Sequence, residues 1–173
     1  MLVVSDTGPI RYLALIGHVD KLPVLYGAVA IPESVAKEFS HPNAPEPARA
    51  FVAAPPAWLT VHAVSGVDPA LDILGPGERE AICLAGQLQA DLLLCDDLAA
   101  RRIAEQRHLQ VIGTLGVLRD AARRGPLEIA AALDQLRTRT SFRATDELYS
   151  EVLKEVQRKD PRGPGRETHT DPL

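Results

Sequence analysis

Leu92-Leu93-Leu94-Cys95-Asp96-Asp97 runs four apolar residues straight into two acids. An unbroken apolar run of that length suits a strand buried on both faces, as in a parallel sheet covered by helices. The start of the chain repeats the pattern. Leu2-Val3-Val4-Ser5 meets Asp6, and Thr7-Gly8-Pro9 then breaks the run. Pro9 suits the first turn of a helix, continued by Ile10 to Ile16. In a parallel sheet the binding crevice lies beyond the carboxyl ends of the strands. Asp6, Asp96 and Asp97 are therefore expected along one edge.

The remaining segments fit strands alternating with helices. A short helix is expected over Asp20 to Leu25, a strand over Ala28 to Ile31, and a helix from Pro32 to about Ser40. Val35 and Phe39 lie on the buried stripe of that helix. Pro47 to Ala53 reads as helix and Trp58 to Val64 as a half-buried strand, with Trp58 a packing anchor. Gly75-Pro76-Gly77 is a turn before a strong helix over Glu78 to Gln89. There Ala81, Leu84, Ala85 and Leu88 recur at i, i+3, i+4 and i+7. Helices follow over Leu98 to Arg107, Thr114 to Arg124 (with Thr114 as N-cap), Leu127 to Arg137 and Asp146 to Gln157, and Val111-Ile112 is a short strand. Alternation of this kind predicts an α/β fold, a three-layer αβα sandwich on a central parallel sheet. One domain is expected over residues 1–158. From Lys159 the chain is Pro, Gly and charge, which predicts a disordered tail over residues 159–173.

Composition narrows the function. Apolar residues make up 46% of the 173 residues, enough for a core without staples. Aromatics are only 4%, which argues against a stacking platform for single-stranded bases. The net charge of −4 argues against a protein held on nucleic acid by charge alone. Cys83 and Cys95 read as small buried hydrophobes in a reducing compartment. No basic, apolar leader opens the chain and no membrane-length apolar run occurs, so a cytoplasmic protein is expected.

Converging carboxylates repel one another and are costly to desolvate. A hard divalent cation with oxygen ligands relieves both costs, and magnesium takes only a few carboxylates directly. Such an ion lowers the pKa of a water and neutralises phosphoryl charge, which suits phosphodiester hydrolysis. Each acid also has a plainer reading. Asp6 can cap the first helix, and Asp96 or Asp97 can cap the helix after them. Glu38 can be a solvated helix residue, and Glu78 and Glu80 can complement a helix dipole. Glu78 and Glu80 lie roughly 200° apart around their helix. Glu78 sits nearer the Ala81/Ala85 stripe. A phosphoacceptor receiver domain is disfavoured because Gly113-Thr114, with no Lys, follows Val111-Ile112. A dinucleotide-binding fold lacks its G-x-G-x-x-G after a strand. His18 and His41 have no partner at ligand spacing.

Taken together, Val4-Ser5-Asp6-Thr7-Gly8-Pro9, Val35-Ala36-Lys37-Glu38-Phe39, Gly77-Glu78-Arg79-Glu80-Ala81-Ile82 and Leu93-Leu94-Cys95-Asp96-Asp97 resemble the PIN domain. The resemblance is closer to the DUF3368 branch of prokaryotic PIN-like proteins. Val111-Ile112-Gly113-Thr114-Leu115-Gly116-Val117-Leu118 and Ser141-Phe142-Arg143 extend it, and it covers roughly residues 2 to 157. It implies a magnesium- or manganese-dependent ribonuclease, often the toxin of a toxin–antitoxin pair, with RNA as substrate and an antitoxin protein as partner. Small proteins of this type often pair, so a homodimer, with the helix from Asp146 as a packing surface, is also implied. The family's first acid falls on Asp6, its second on Glu38, its third on the Glu78/Glu80 pair and its fourth on Asp96. Placement before the small-apolar run favours Glu80 as the third, whereas helical periodicity favours Glu78. Asp97 is a supporting ligand or the cap. Many relatives carry a further acid two residues past the fourth, and here that position is Leu98. Arg101, Arg102, Lys37 and Arg79 are candidates to position the strand.

Overall fold

The computed structural model describes residues 1–125 and 127–158. The tail expected from Lys159 onward lies outside them. Five strands form one parallel sheet: β1 (Leu2–Ser5), β2 (Ala28–Pro32), β3 (Leu59–His62), β4 (Leu92–Leu94) and β5 (Val111–Ile112). Their order is β3-β2-β1-β4-β5. The chain steps outward from β1 through β2 to β3, then returns to add β4 and β5 on the other side. The order therefore reverses between β1 and β4, where a crevice opens at the carboxyl edge of such sheets. Register places Ser5 beside Leu94, and the Asp6 N–H donates to the Leu94 carbonyl at 2.9 Å. Asp6 and the residues after Leu94 thus leave the sheet side by side, at that reversal.

Alternation along the strands feeds two cores. Val3, Val29, Ile31, Leu92 and Leu94 point to one face and join Leu13, Leu22, Phe39, Leu118 and Leu136. The helices on that side are α1 (Thr7–Leu15), α2 (Lys21–Tyr26), α3 (Glu33–Ser40), α4 (Glu46–Ala53), α7 (Thr114–Arg124), α8 (Ile129–Arg139) and α9 (Asp146–Arg158). Val4, Ala30, Leu93 and Cys95 point to the other face and join Ile82, Leu84 and Ala104. That face is covered by α5 (Pro76–Gln87) and α6 (Leu98–Gln106). Adjacent Val3 and Val4 are both fully buried, which is why the strand sequence shows no polar alternation. Each such side chain contributes roughly 1.5–3 kcal/mol by burial. The result is the expected three-layer αβα sandwich.

Differences in detail have local causes. Helix α1 begins at Thr7 with Pro9 in its first turn, as expected, because its first N–H groups need no intrahelical partner and so tolerate Gly8 and Pro9. Helix α5 begins at Pro76, two residues early, for the same reason. The N-cap of α7 is Gly113, with Thr114 the first helical residue, which corrects the expected cap. A single 3-10 turn at Pro69–Leu71 was not signalled by periodicity. Trp58 packs on Phe51 with ring centroids 5.4 Å apart. No helix among the described residues is long and apolar enough to cross a membrane.

Candidate metal centre

Asp6 follows β1 and is 4% exposed. It is the N-cap of α1, accepting the Thr7 N–H at 2.5 Å. Its second oxygen faces the Cys95 Sγ at 3.8 Å. Burial is the chief reason its carboxyl is pushed up to about 7, followed by the charge of Glu78, with Glu38 and Asp96 adding to it. The Thr7 N–H opposes the rise. Burial, with Asp6 next, also pushes the Cys95 thiol far up, so it stays protonated.

Glu38 lies late in α3, yet it reaches the same place. The Thr7 hydroxyl donates to its Oε2 at 2.6 Å. Helix α3 has only eight residues and starts at the carboxyl edge after β2, so its last turn has not left that edge. Helix α5 starts at the same edge because it follows β3, although 13 residues intervene between His62 and Pro76. Gly77 at its start leaves a gap. A methyl group on Gly77 would sit 2.8 Å from Glu38 Oε1, 3.1 Å from Thr7 Oγ1 and 3.2 Å from Asp6 Oδ1. Oxygens from three residues, Asp6, Thr7 and Glu38, therefore surround one small space.

The Glu78/Glu80 alternative divides by direction. Among the neighbouring charges Glu78 raises the Asp6 carboxyl most, with its carboxylate folded back over Gly75. Glu80 instead accepts the Ser34 N–H at 3.3 Å, at the start of α3. Glu78 is thus the one whose charge acts on Asp6, and Glu80 buttresses the helix that carries Glu38.

Asp96 sits across from this group. Its Oδ1 accepts the Thr114 N–H at 2.7 Å and its Oδ2 the Thr114 hydroxyl at 2.6 Å. Asp96 thereby serves α7 as a cap supplied from another element, so the cap residue itself needs no side-chain oxygen. Gly113 stands there because a methyl group would lie 2.6 Å from Asp96 Oδ1. Gly8 likewise leaves room for Asp96 Oδ2, which a methyl there would meet at 3.1 Å. Burial raises the Asp96 pKa, against the two Thr114 hydrogen bonds and Arg101. Asp97 is exposed and caps α6 by accepting the Ala100 N–H at 2.8 Å.

Thr114 is fully buried, so its hydroxyl has no water to replace Asp96. Thr114→Val keeps the shape and deletes the donor. It should cost about 1–3 kcal/mol by removing a hydrogen bond to a half-buried carboxylate. Urea unfolding in EDTA measures this, and a change below about 0.5 kcal/mol would mean the bond contributes little to stability.

Among the described residues, no three acids, histidines or cysteines converge closely enough to hold an ion as they stand. None of Asp6, Glu38, Glu78, Glu80, Asp96 and Asp97 forms an ion pair among those residues either. Burial raises the Asp6 carboxyl, and the charges of Glu78, Glu38 and Asp96 add to the rise. Hard oxygen donors around the space beside Gly77 fit magnesium in kind. That ion needs one or two carboxylates and keeps the rest of its shell as water or phosphate. Asp6 and Glu38 would bind it directly, with Glu78 within electrostatic reach.

Of the basic residues, Arg79 is committed to Asp72 at 2.7 Å. Arg101 lies beside Asp96. Lys37 and an unanticipated residue, Arg11, line a cavity on the Glu38 side. Arg11 is four residues after Thr7, on the same face of α1, and that spacing was the available signal.

A family model described as DUF3368, PIN domain, matches residues 2–158. Among solved structures, a PilT N-terminus domain protein from the hyperthermophilic archaeon Sulfolobus solfataricus P2 is similar. It has 19% identity and a TM-score of 0.51, covering 72% of this chain and 97% of that one. At that identity the likeness speaks for the fold alone. No curated protein sequence matches the chain.

Proposed function

This chain belongs to the DUF3368 family of PIN domains, and from that premise we propose that it is a divalent-metal-dependent ribonuclease hydrolysing RNA phosphodiester bonds. Family membership accords with nuclease activity in general. The observation that carries the finer reading is the buried Asp6, which shares the space beside Gly77 with Glu38 and Thr7 and is raised by burial and by the charge of Glu78.

Asp6 and Glu38 would hold magnesium or manganese, with Glu78 beside them and Glu80 and Asp96 supporting the site. The ion would supply charge neutralisation at the phosphate and activation of water. The chain's own groups set the geometry. Thr7 holds Glu38 through its hydroxyl and Asp6 through its N–H. Thr114 fixes Asp96 at both oxygens. Three helices, α1, α3 and α5, begin at this edge, and their positive ends favour anions there. In this role the protein would work in the cytoplasm as the toxin of a toxin–antitoxin pair, restrained by an antitoxin protein and paired with a second copy.

Wild-type protein should cut single-stranded RNA in magnesium or manganese and stop in EDTA. Manganese at about 100 times its Kd should raise the melting temperature by roughly 5–10 °C. A second reading, a non-catalytic PIN domain that binds RNA or a protein, is favoured by the lack of a converged ligand trio among the described residues. Absence of both heat and a thermal shift on titrating manganese would decide for it.

A further inference from the structure

A cavity of about 510 Å³ opens on the outer side of Thr7 and Glu38. One wall is the face of α1 that carries Thr7 and Arg11. The other is the α3 face of Ser34, Lys37 and Glu38, continued by His41. These recur at i, i+3, i+4 and i+7, so one helical stripe faces the space. The inner wall of the cavity is thus also the outer wall of the carboxylate group.

The cavity carries two cationic side chains, Arg11 and Lys37, against one acid, Glu38. The Arg11 Nε is shut off from solvent and has no hydrogen-bond partner. No carboxylate lies within salt-bridge distance of its guanidinium among the described residues. A buried donor left unpaired is rare in folded proteins and calls for a ligand or water. Lys37 has only an exposed, 3.7 Å contact with Glu33 one turn back. Arginine suits phosphate because its planar fork donates two parallel bonds. The larger cavity on the Asp96 side, about 680 Å³, sets Arg101, Arg119 and Arg143 against Asp96, Glu151 and Glu155, so its charges balance. Its Arg119 is already held by Asp120 at 2.9 Å and Glu155 at 3.3 Å, and Glu151 also lines it.

We propose that this cavity is a phosphate subsite for the RNA strand, in which Arg11 and Lys37 grip the phosphate next to the one being cut. The proposal rests on the ribonuclease reading and adds to it which side of the site holds the strand. Arg11 and Lys37 are positioning residues here, since neither touches the scissile phosphate.

The test uses the full chain. In an Asp6→Asn background, fluorescence anisotropy follows a labelled single-stranded RNA at several salt concentrations. Adding Arg11→Ala should weaken binding and reduce the slope of log K against log salt by about 0.7, the worth of one phosphate contact on a single strand. Lys37→Ala, at an exposed position safe for folding, should do the same. Arg11→Lys should keep the slope while losing part of the affinity. With otherwise wild-type protein, adding one terminal phosphate on the engaged side of a short substrate should raise kcat/KM about tenfold, and Arg11→Ala should remove that gain. If wild type cuts RNA while Arg11→Ala and Lys37→Ala leave salt slope and length dependence unchanged, the subsite is overturned and the nuclease reading stands. If wild type binds RNA without cutting, the slope still judges the subsite while the nuclease reading falls. If it neither binds nor cuts RNA, both are overturned.

Discussion

Asp6→Asn should lower RNA cleavage by roughly 10³-fold and yet make the metal-free protein more stable at pH 8. The activity loss equals about 4 kcal/mol of transition-state stabilisation. It follows from removing the buried carboxylate at the strand reversal that shares the space beside Gly77 with Glu38. The stability gain follows from linkage. The folded carboxyl titrates at about 7 and the ordinary value is 3.8. Between those limits the folded state keeps a proton that the unfolded state has released. Stability therefore falls as pH rises from about 4 to about 7, by on the order of a few kcal/mol, and is level above. Asparagine keeps the acceptor for the Thr7 N–H and never ionises, so its contribution has no such slope. Asp96, also raised by burial, leaves a residual slope of the same sign in the variant. Urea unfolding in EDTA at pH 5 and pH 8 is the measurement. Parallel pH profiles for the two proteins would show that Asp6 is not the group that titrates, and undiminished cleavage would remove it from the site.

Much of the fold was legible because the strands are short and buried on both faces. Val3 and Val4 feed opposite cores, so an apolar run without alternation is what such a strand must look like. Strand order was not legible. Nothing local in Leu92-Leu93-Leu94 says that it pairs with β1 and not with β3. That choice is made by helices α5 and α6 closing the second face. The start of α5 was placed two residues late, at Glu78, because a first turn has no intrahelical N–H bonds to lose and so admits Pro76 and Gly77.

For the site, acids ending a strand could be placed and acids on helices could not. Asp6 and Asp96 follow directly from strand ends. Glu38 needed the shortness of α3 and the Thr7 hydroxyl, a contact across 31 residues. Asp97 read equally well as ligand or cap, and it caps α6. Arg11 escaped notice inside an apolar helix, where a lone charge reads as a solvated residue. The glycines were legible only as turn formers. Gly8, Gly77 and Gly113 are instead the places where a side chain would strike Asp6, Glu38 or Asp96.

That distinction yields a separation of stability from function. Gly77→Ala should leave the fold as stable as wild type, or more so by up to about 1 kcal/mol, because alanine loses less backbone entropy in a helix than glycine. The new methyl would stand 2.8 Å from Glu38 Oε1 and 3.2 Å from Asp6 Oδ1. Glu38 is exposed and can swing away, which relieves the shortest of these contacts. Relief moves Glu38 out of the space that an ion would share with Asp6. Manganese affinity and RNA cleavage should each fall roughly 10–100-fold, the size of effect seen when a metal site's supporting groups are disturbed. Gly86→Ala is the control in the same helix, since a methyl there meets nothing within 4 Å. It should gain similar stability and keep full cleavage. The measurements are thermal melting, manganese titration calorimetry and cleavage rate for both variants. Equal activity in Gly77→Ala and Gly86→Ala would place the metal, if one binds, away from the space between Asp6, Thr7 and Glu38.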